Sequence, residues 1–271
     1  MWGFMLVLGG IVLAGLGVRV ALERGRPWNL AGMLLAPAGL CLALLGVGRV
    51  LSPSFFGRES GGPRALRIMP AGDSLTRGSS GWPKDDPRGG YRGPLWARLA
   101  GQAVDFVGTA RGGPHAIDRD HESWDGITVE ELAGKLFADL PAQAPDVILL
   151  HIGTNDVLHG HSPDLVAGRL AALIDGIVAR APRTQLLVAS LVGVRVPNAY
   201  HADPEAIAAV NARLHATVAD RAGRGEKVRF VDLHARVGRS AADFADDGLH
   251  LSERGYREMA DAWLEALRHR P

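Results

Sequence analysis

The 271-residue chain has a single cysteine, Cys41. One thiol builds neither a disulfide framework nor a cysteine metal cluster. An excess of one charge is missing too: 30 Lys and Arg stand against 29 Asp and Glu, a net charge of +1. So even a balance sets up no strong field for nucleic acid, and no nucleic-acid partner is expected. There is no internal repeat, which excludes solenoids and propellers. What is present, 47% hydrophobic and 22% charged residues, belongs to a globular chain and not a disordered one. The length accommodates one domain of about 200 residues with an appendage.

Charge is also absent from residues 1–18, and the apolar pattern runs on past Arg19 to Leu22. A second uncharged run covers residues 30–48, interrupted by Pro37 and several glycines. Each has roughly the 18–22 residues that cross a ~30 Å hydrocarbon core, and Gly and Pro are tolerated in such helices. Arg19, Glu23, Arg24, Arg26 and Pro27 lie between them as a short basic turn. Residues 1–50 therefore read as a transmembrane hairpin of two helices. A single anchor or an uncleaved signal is the competing reading. A cleaved signal peptide opens on a basic region, and Met1-Trp2-Gly3-Phe4-Met5 does not. Cys41 follows Leu40 rather than a small residue, which argues against lipid attachment. A cytoplasmic basic turn would leave the large domain extracytoplasmic. Arg49, Arg58, Arg64 and Arg67 after the second span weaken that rule without reversing it. Residues 51–64 are turn-rich and read as a linker, and 65–271 as the main domain.

In that domain five apolar runs, 66–71, 103–108, 146–152, 185–191 and 228–233, alternate with helical patterns near 93–101, 129–138, 164–181, 204–222 and 252–268. The third helix shows Leu165, Leu170, Leu173, Ile174, Ile177 and Val178 at helical spacing. Such alternation predicts an α/β fold with a parallel sheet covered on both faces.

The first run ends in Gly72-Asp73-Ser74-Leu75. A serine there stands at the mouth of the sheet, where open α/β folds keep their sites. A serine hydroxyl needs a base and oxyanion donors to act. Asp247 and His250, three apart before the last helix, have the spacing for a carboxylate to orient an imidazole toward that serine. Asn155, in Gly153-Thr154-Asn155-Asp156 after the third strand, would bring an amide donor to the same edge. Gly126, at the start of a helix, would bring a backbone N–H. Singly, each of these reads as an ordinary polar turn.

Together the segments resemble the four blocks of the SGNH (GDSL-type) hydrolases, in order. Arg67-Ile68-Met69-Pro70-Ala71-Gly72-Asp73-Ser74, Val104-Asp105-Phe106-Val107-Gly108, Asp120-His121-Glu122 and Asp247-Gly248-Leu249-His250-Leu251-Ser252 resemble, more closely, carbohydrate esterase family three. The resemblance implies a three-layer α/β/α sandwich with a five-stranded parallel flavodoxin-like sheet. It also implies ester hydrolysis without metal or organic cofactor. Ser74 would be nucleophile, His250 general base and acid, and Asp247 orienter. The N–H groups of Ser74 and Gly126 and the Asn155 amide would form the oxyanion hole. The chain departs from the family in its second block, where Asp125 precedes Gly126, and this bears on acyl preference.

Other residues are candidates for substrate contact. Asp73 reads first as a brace of the serine turn, Trp82 as a sugar-stacking ring, and His159 as a residue of the cleft rim with His161. That histidine pair has no third ligand in the sequence to make a metal site. Arg195, Asn198, Tyr200 and His201 lie on a loop, 192–203, after the fourth strand. The expected substrate is an acylated carbohydrate, with the membrane engaged through residues 1–50. A lysophospholipase or thioesterase, and a catalytically silent glycan-binding module, are the competing readings.

Overall fold

A computed structural model describes residues 64–81 and 86–268. The expected membrane hairpin, Cys41, nearly all of the 51–64 linker and Trp82 lie outside the described residues. Among the described residues, no helix is long and apolar enough to cross a membrane.

The strands are β1 (Leu66–Gly72), β2 (Val104–Phe106), β3 (Ala110–Arg111), β4 (Asp120–Ser123), β5 (Val147–His151), β6 (Gln185–Ala189) and β7 (Val228–Val231). The five strands expected from the sequence are all present and parallel, in the spatial order β2-β1-β5-β6-β7. That is the doubly wound order in which sites form beyond the carboxyl ends of the strands.

The sheet is not purely parallel, nor limited to five strands. β4 joins it beside β1, and β3 pairs with β4 antiparallel. The cause lies in β1. Its first half, Leu66–Ile68, pairs with β2, and its last residues, Ala71 and Gly72, pair with β4. Val107 N–H reaches Ile68 O and Trp124 N–H reaches Gly72 O. Pro70 lies between these bonds, where the edge passes from one partner to the other. A proline has no N–H to give to a ladder, so the exchange of partners falls where the sequence cannot supply a bond.

Alternation along the strands sorts the core into two layers. Met69, Ala71, Ile148, Leu150, Leu186 and Val188 face one way. They pack on α3 (Val129–Gln143), α5 (Pro163–Arg180) and α6 (Pro204–Gly223), reached after α1 (Ser74–Arg77), α2 (Arg92–Arg98) and α4 (Thr154–Leu158). Ile68, Val147, Leu149, Leu187 and Ala189 face the other way. There they meet Leu95 of α2 and, after the short α7 (Leu233–Arg236), Tyr256, Met259, Trp263 and Leu267 of α8 (Glu253–Arg268). Each large apolar side chain so buried contributes roughly 1.5–3 kcal/mol.

Local signals set the helix starts. Thr128 and Glu131 form a capping box at α3. Ser162 and Asp203 cap α5 and α6, each followed by a proline in the first turn.

Candidate active site

Gly72 is the hub. It sits opposite Ser123 of β4 on one side and His151 of β5 on the other. Three chain segments thus leave the sheet from one level: toward Ser74, toward Gly126 and toward Asn155. Glycine is required at the hub, because a Cβ there would lie 2.0 Å from His151 O.

The chain then turns at Asp73, whose Oδ1 accepts from Leu75 N–H at 3.0 Å and caps α1. Ser74 is the first helical residue. Its N–H lies beyond the reach of intrahelical bonding, and neither it nor the Gly126 N–H has a backbone acceptor among the described residues. Gly126 holds φ at +71°, a left-handed turn that favours glycine.

The imidazole of His250, 6% exposed, places Nε2 3.0 Å from Ser74 Oγ and Nδ1 2.8 Å from Asp247 Oδ2. A carboxylate only accepts, so Nδ1 carries the proton and Nε2 is left to accept from the serine hydroxyl. Asp247 Oδ1 also takes the N–H groups of Leu249 and His250, each at 2.9 Å. Burial works against the Asp247 charge. The Leu249 N–H, the His250 side chain and the His250 N–H outweigh it and hold the carboxyl below its usual range.

Asn155 is on α4, and its Nδ2 donates to Ile127 O at 2.9 Å. One amide hydrogen ties α4 to the Gly126 turn, and the second remains for a ligand. Asp156 is fully buried, accepting from Val129 N–H at 2.9 Å and Arg169 at 3.0 Å. It joins the same two segments from beneath.

Asp125 does not stand alone. Arg77 and Ser79 Oγ, the latter at 2.7 Å, hold its carboxylate beside α1. His159 and His161 stack edge to face, with ring centroids 6.2 Å apart, and His161 Nδ1 lies 2.8 Å from Arg169. Arg195 bridges inward, giving its guanidinium to Asp246 O at 2.6 Å and its N–H to Gly248 O at 2.8 Å. It fastens the 192–203 loop to the segment carrying Asp247 and His250.

Beneath the site, Arg92 escaped sequence reading, because no spacing marks it. Fully buried, it donates to Thr76 O, Arg77 O and Gly112 O at 2.8–3.1 Å. It clamps the carboxyl end of α1, and burial pulls its pKa down to about 10. His121 of β4, also buried, bonds Ser123 Oγ at 2.8 Å. Burial first, and then the charges of Arg92 and Arg77, push it down to about 3, so it stays neutral.

Known proteins resemble this domain in sequence and in fold. Residues 71–258 match the GDSL-like Lipase/Acylhydrolase family. The chain belongs to that family. GDSL-like enzymes are carboxylic ester hydrolases, and this domain is one by class. A "Putative endoglucanase X" of Acetivibrio thermocellus is 35% identical over 138 residues, 51% of this chain and 57% of its own. A "Multidomain esterase" of Ruminococcus flavefaciens is 28% identical over 236 residues, 78% of this chain and 29% of its own. The chain thus spans little more than half of the first relative and under a third of the second. Among solved structures, a Clostridium thermocellum family 3 carbohydrate esterase superposes with TM-score 0.64 at 36% identity, over 76% of this chain and 98% of that one. A family 3 carbohydrate esterase from Talaromyces cellulolyticus has TM-score 0.62 at 24% identity, covering 75% and 96%, a likeness of fold.

Proposed function

We propose that the GDSL-like domain hydrolyses O-acyl esters on carbohydrate, foremost O-acetyl esters, with Ser74, His250 and Asp247 as its catalytic triad. The observation that carries the reading is the continuous line of hydrogen bonds from Asp247 through His250 to Ser74. His250 Nε2 takes the Ser74 proton as Oγ attacks the ester carbonyl. The oxyanion is held by the N–H groups of Ser74 and Gly126 and the Asn155 amide. His250 then gives the proton to the departing alkoxide, and water releases the acid from the acyl-serine by the same route in reverse.

Asp125 supports a short acyl group. It precedes Gly126, one of the oxyanion donors in this reading, and it is paired with Arg77. A long apolar chain laid there would strip water from paired charges at a cost. Likeness to a family 3 carbohydrate esterase at 36% identity supports sugar as the alcohol. The apolar runs of residues 1–50 support a membrane tether with the domain extracytoplasmic.

Kinetics on acetylated xylo-oligosaccharide, a butyryl ester and a long-chain acyl ester separate the readings. The acetylated sugar is expected to give the highest kcat/KM. A preference for the long-chain ester would overturn the carbohydrate assignment.

A further inference from the structure

His250 returns its proton to the leaving oxygen, so the alcohol half of the ester must lie against the imidazole. The aromatic ring that packs against that imidazole is Tyr200. Its ring centroid is 5.9 Å from that of His250, with the planes at 74°, and the residue is 37% exposed. Resting on the esterase reading above, we propose that Tyr200 is the stacking platform for the sugar ring carrying the ester.

The loop is built to hold that ring in place. Asn198 Oδ1 accepts from Tyr200 N–H at 3.2 Å and Ala202 N–H at 2.9 Å, and Asn198 Nδ2 donates to Ala202 O at 3.1 Å. Ala199 N–H reaches Asp247 O at 2.8 Å, so the tyrosine is fixed to the segment that carries the imidazole. A flat ring with a polar tip suits the C–H face and hydroxyl rim of a pyranose. A lipid alcohol would need a contiguous apolar surface. The large apolar side chains exposed among the described residues are Leu165, Val196 and Tyr200 alone. Of these, Tyr200 is the one that packs on the imidazole, and its ring suits one face of a sugar.

The test has two readouts on the full-length protein. The first is the ratio of kcat/KM for acetylated xylo-oligosaccharide to that for ethyl acetate, which has no ring to stack. Tyr200→Ala is expected to lower the ratio about tenfold, as loss of one aromatic contact would, and Tyr200→Phe to retain it. An unchanged ratio in Tyr200→Ala overturns the proposal, because the side chain would then serve only to pack His250. The second readout needs no turnover. In a Ser74→Ala background, xylo-oligosaccharide is titrated calorimetrically, and adding Tyr200→Ala is expected to weaken Kd by a similar factor. Equal Kd values, or no binding to either protein, overturn the platform. Failure of wild-type protein to cleave either ester, with sugar binding still dependent on Tyr200, would instead remove the esterase reading and keep the platform.

Discussion

In the proposed chemistry the Ser74 hydroxyl, 3.0 Å from the His250 imidazole, gives up its proton, and that transfer is one part of the barrier. The other part is charge on the carbonyl oxygen, and for that part of the proposal Asn155 is the informative side chain. One hydrogen of its amide is committed to Ile127 O, which leaves the other as an oriented donor. Asn155→Ala is expected to lower kcat on the order of 100–1000-fold. The measurement is steady-state kinetics alongside a thermal melt, since the lost Ile127 bond also affects stability. A loss below about tenfold would place the oxyanion elsewhere. At this scale the sequence was legible where chemistry depends on local spacing. Asp247 and His250 are three residues apart, and the return of one side chain to the other is a property of that loop. It was illegible where contact depends on a distant return of the chain. Tyr200 meets His250 because Ala199 bonds to Asp247 O, and Arg92 lies under α1 because α2 packs there. No spacing encodes either.

Elements bring these residues to one level, and β1 governs the arrangement. Gly72 lets His151 O approach to a distance no side chain permits, which draws β5 and its Asn155 loop against the serine turn. Gly72→Ala forces β1 and β5 apart. Overpacking of this kind costs roughly 1–3 kcal/mol, and urea denaturation should show at least that. A stability loss under about 0.5 kcal/mol would mean that the strands adjust freely. The central strands β5 and β6 were readable because residues 147–150 and 186–189 are continuously apolar and buried. β3 and β4 were not. Asp120-His121-Glu122-Ser123 has no apolar run, and it is a strand because β1 offers an unpaired edge beyond Pro70. Glu122 is buried there on the N–H and hydroxyl of Thr109, a partner 13 residues away.

For the molecule as a whole, the doubly wound order puts the loops carrying Ser74, Asn155 and Tyr200 at the carboxyl end of one sheet. That follows from alternation of strands and helices, and alternation is what a sequence displays best. The tether is a separate proposition, resting on charge-free runs outside the described residues. If residues 1–50 span a membrane, the full chain should sediment with membranes after alkaline carbonate washing, and a chain beginning near residue 62 should not. Recovery of the full chain in the wash would remove the tether and leave the chemistry untouched. That chemistry stands or falls on Ser74. Treating the protein with a fluorophosphonate and mapping the adduct by peptide mass spectrometry is its most direct measurement. One adduct on Ser74 is expected, lost together with ester hydrolysis in Ser74→Ala. An adduct on another residue, or hydrolysis persisting at the wild-type rate in Ser74→Ala, would contradict it.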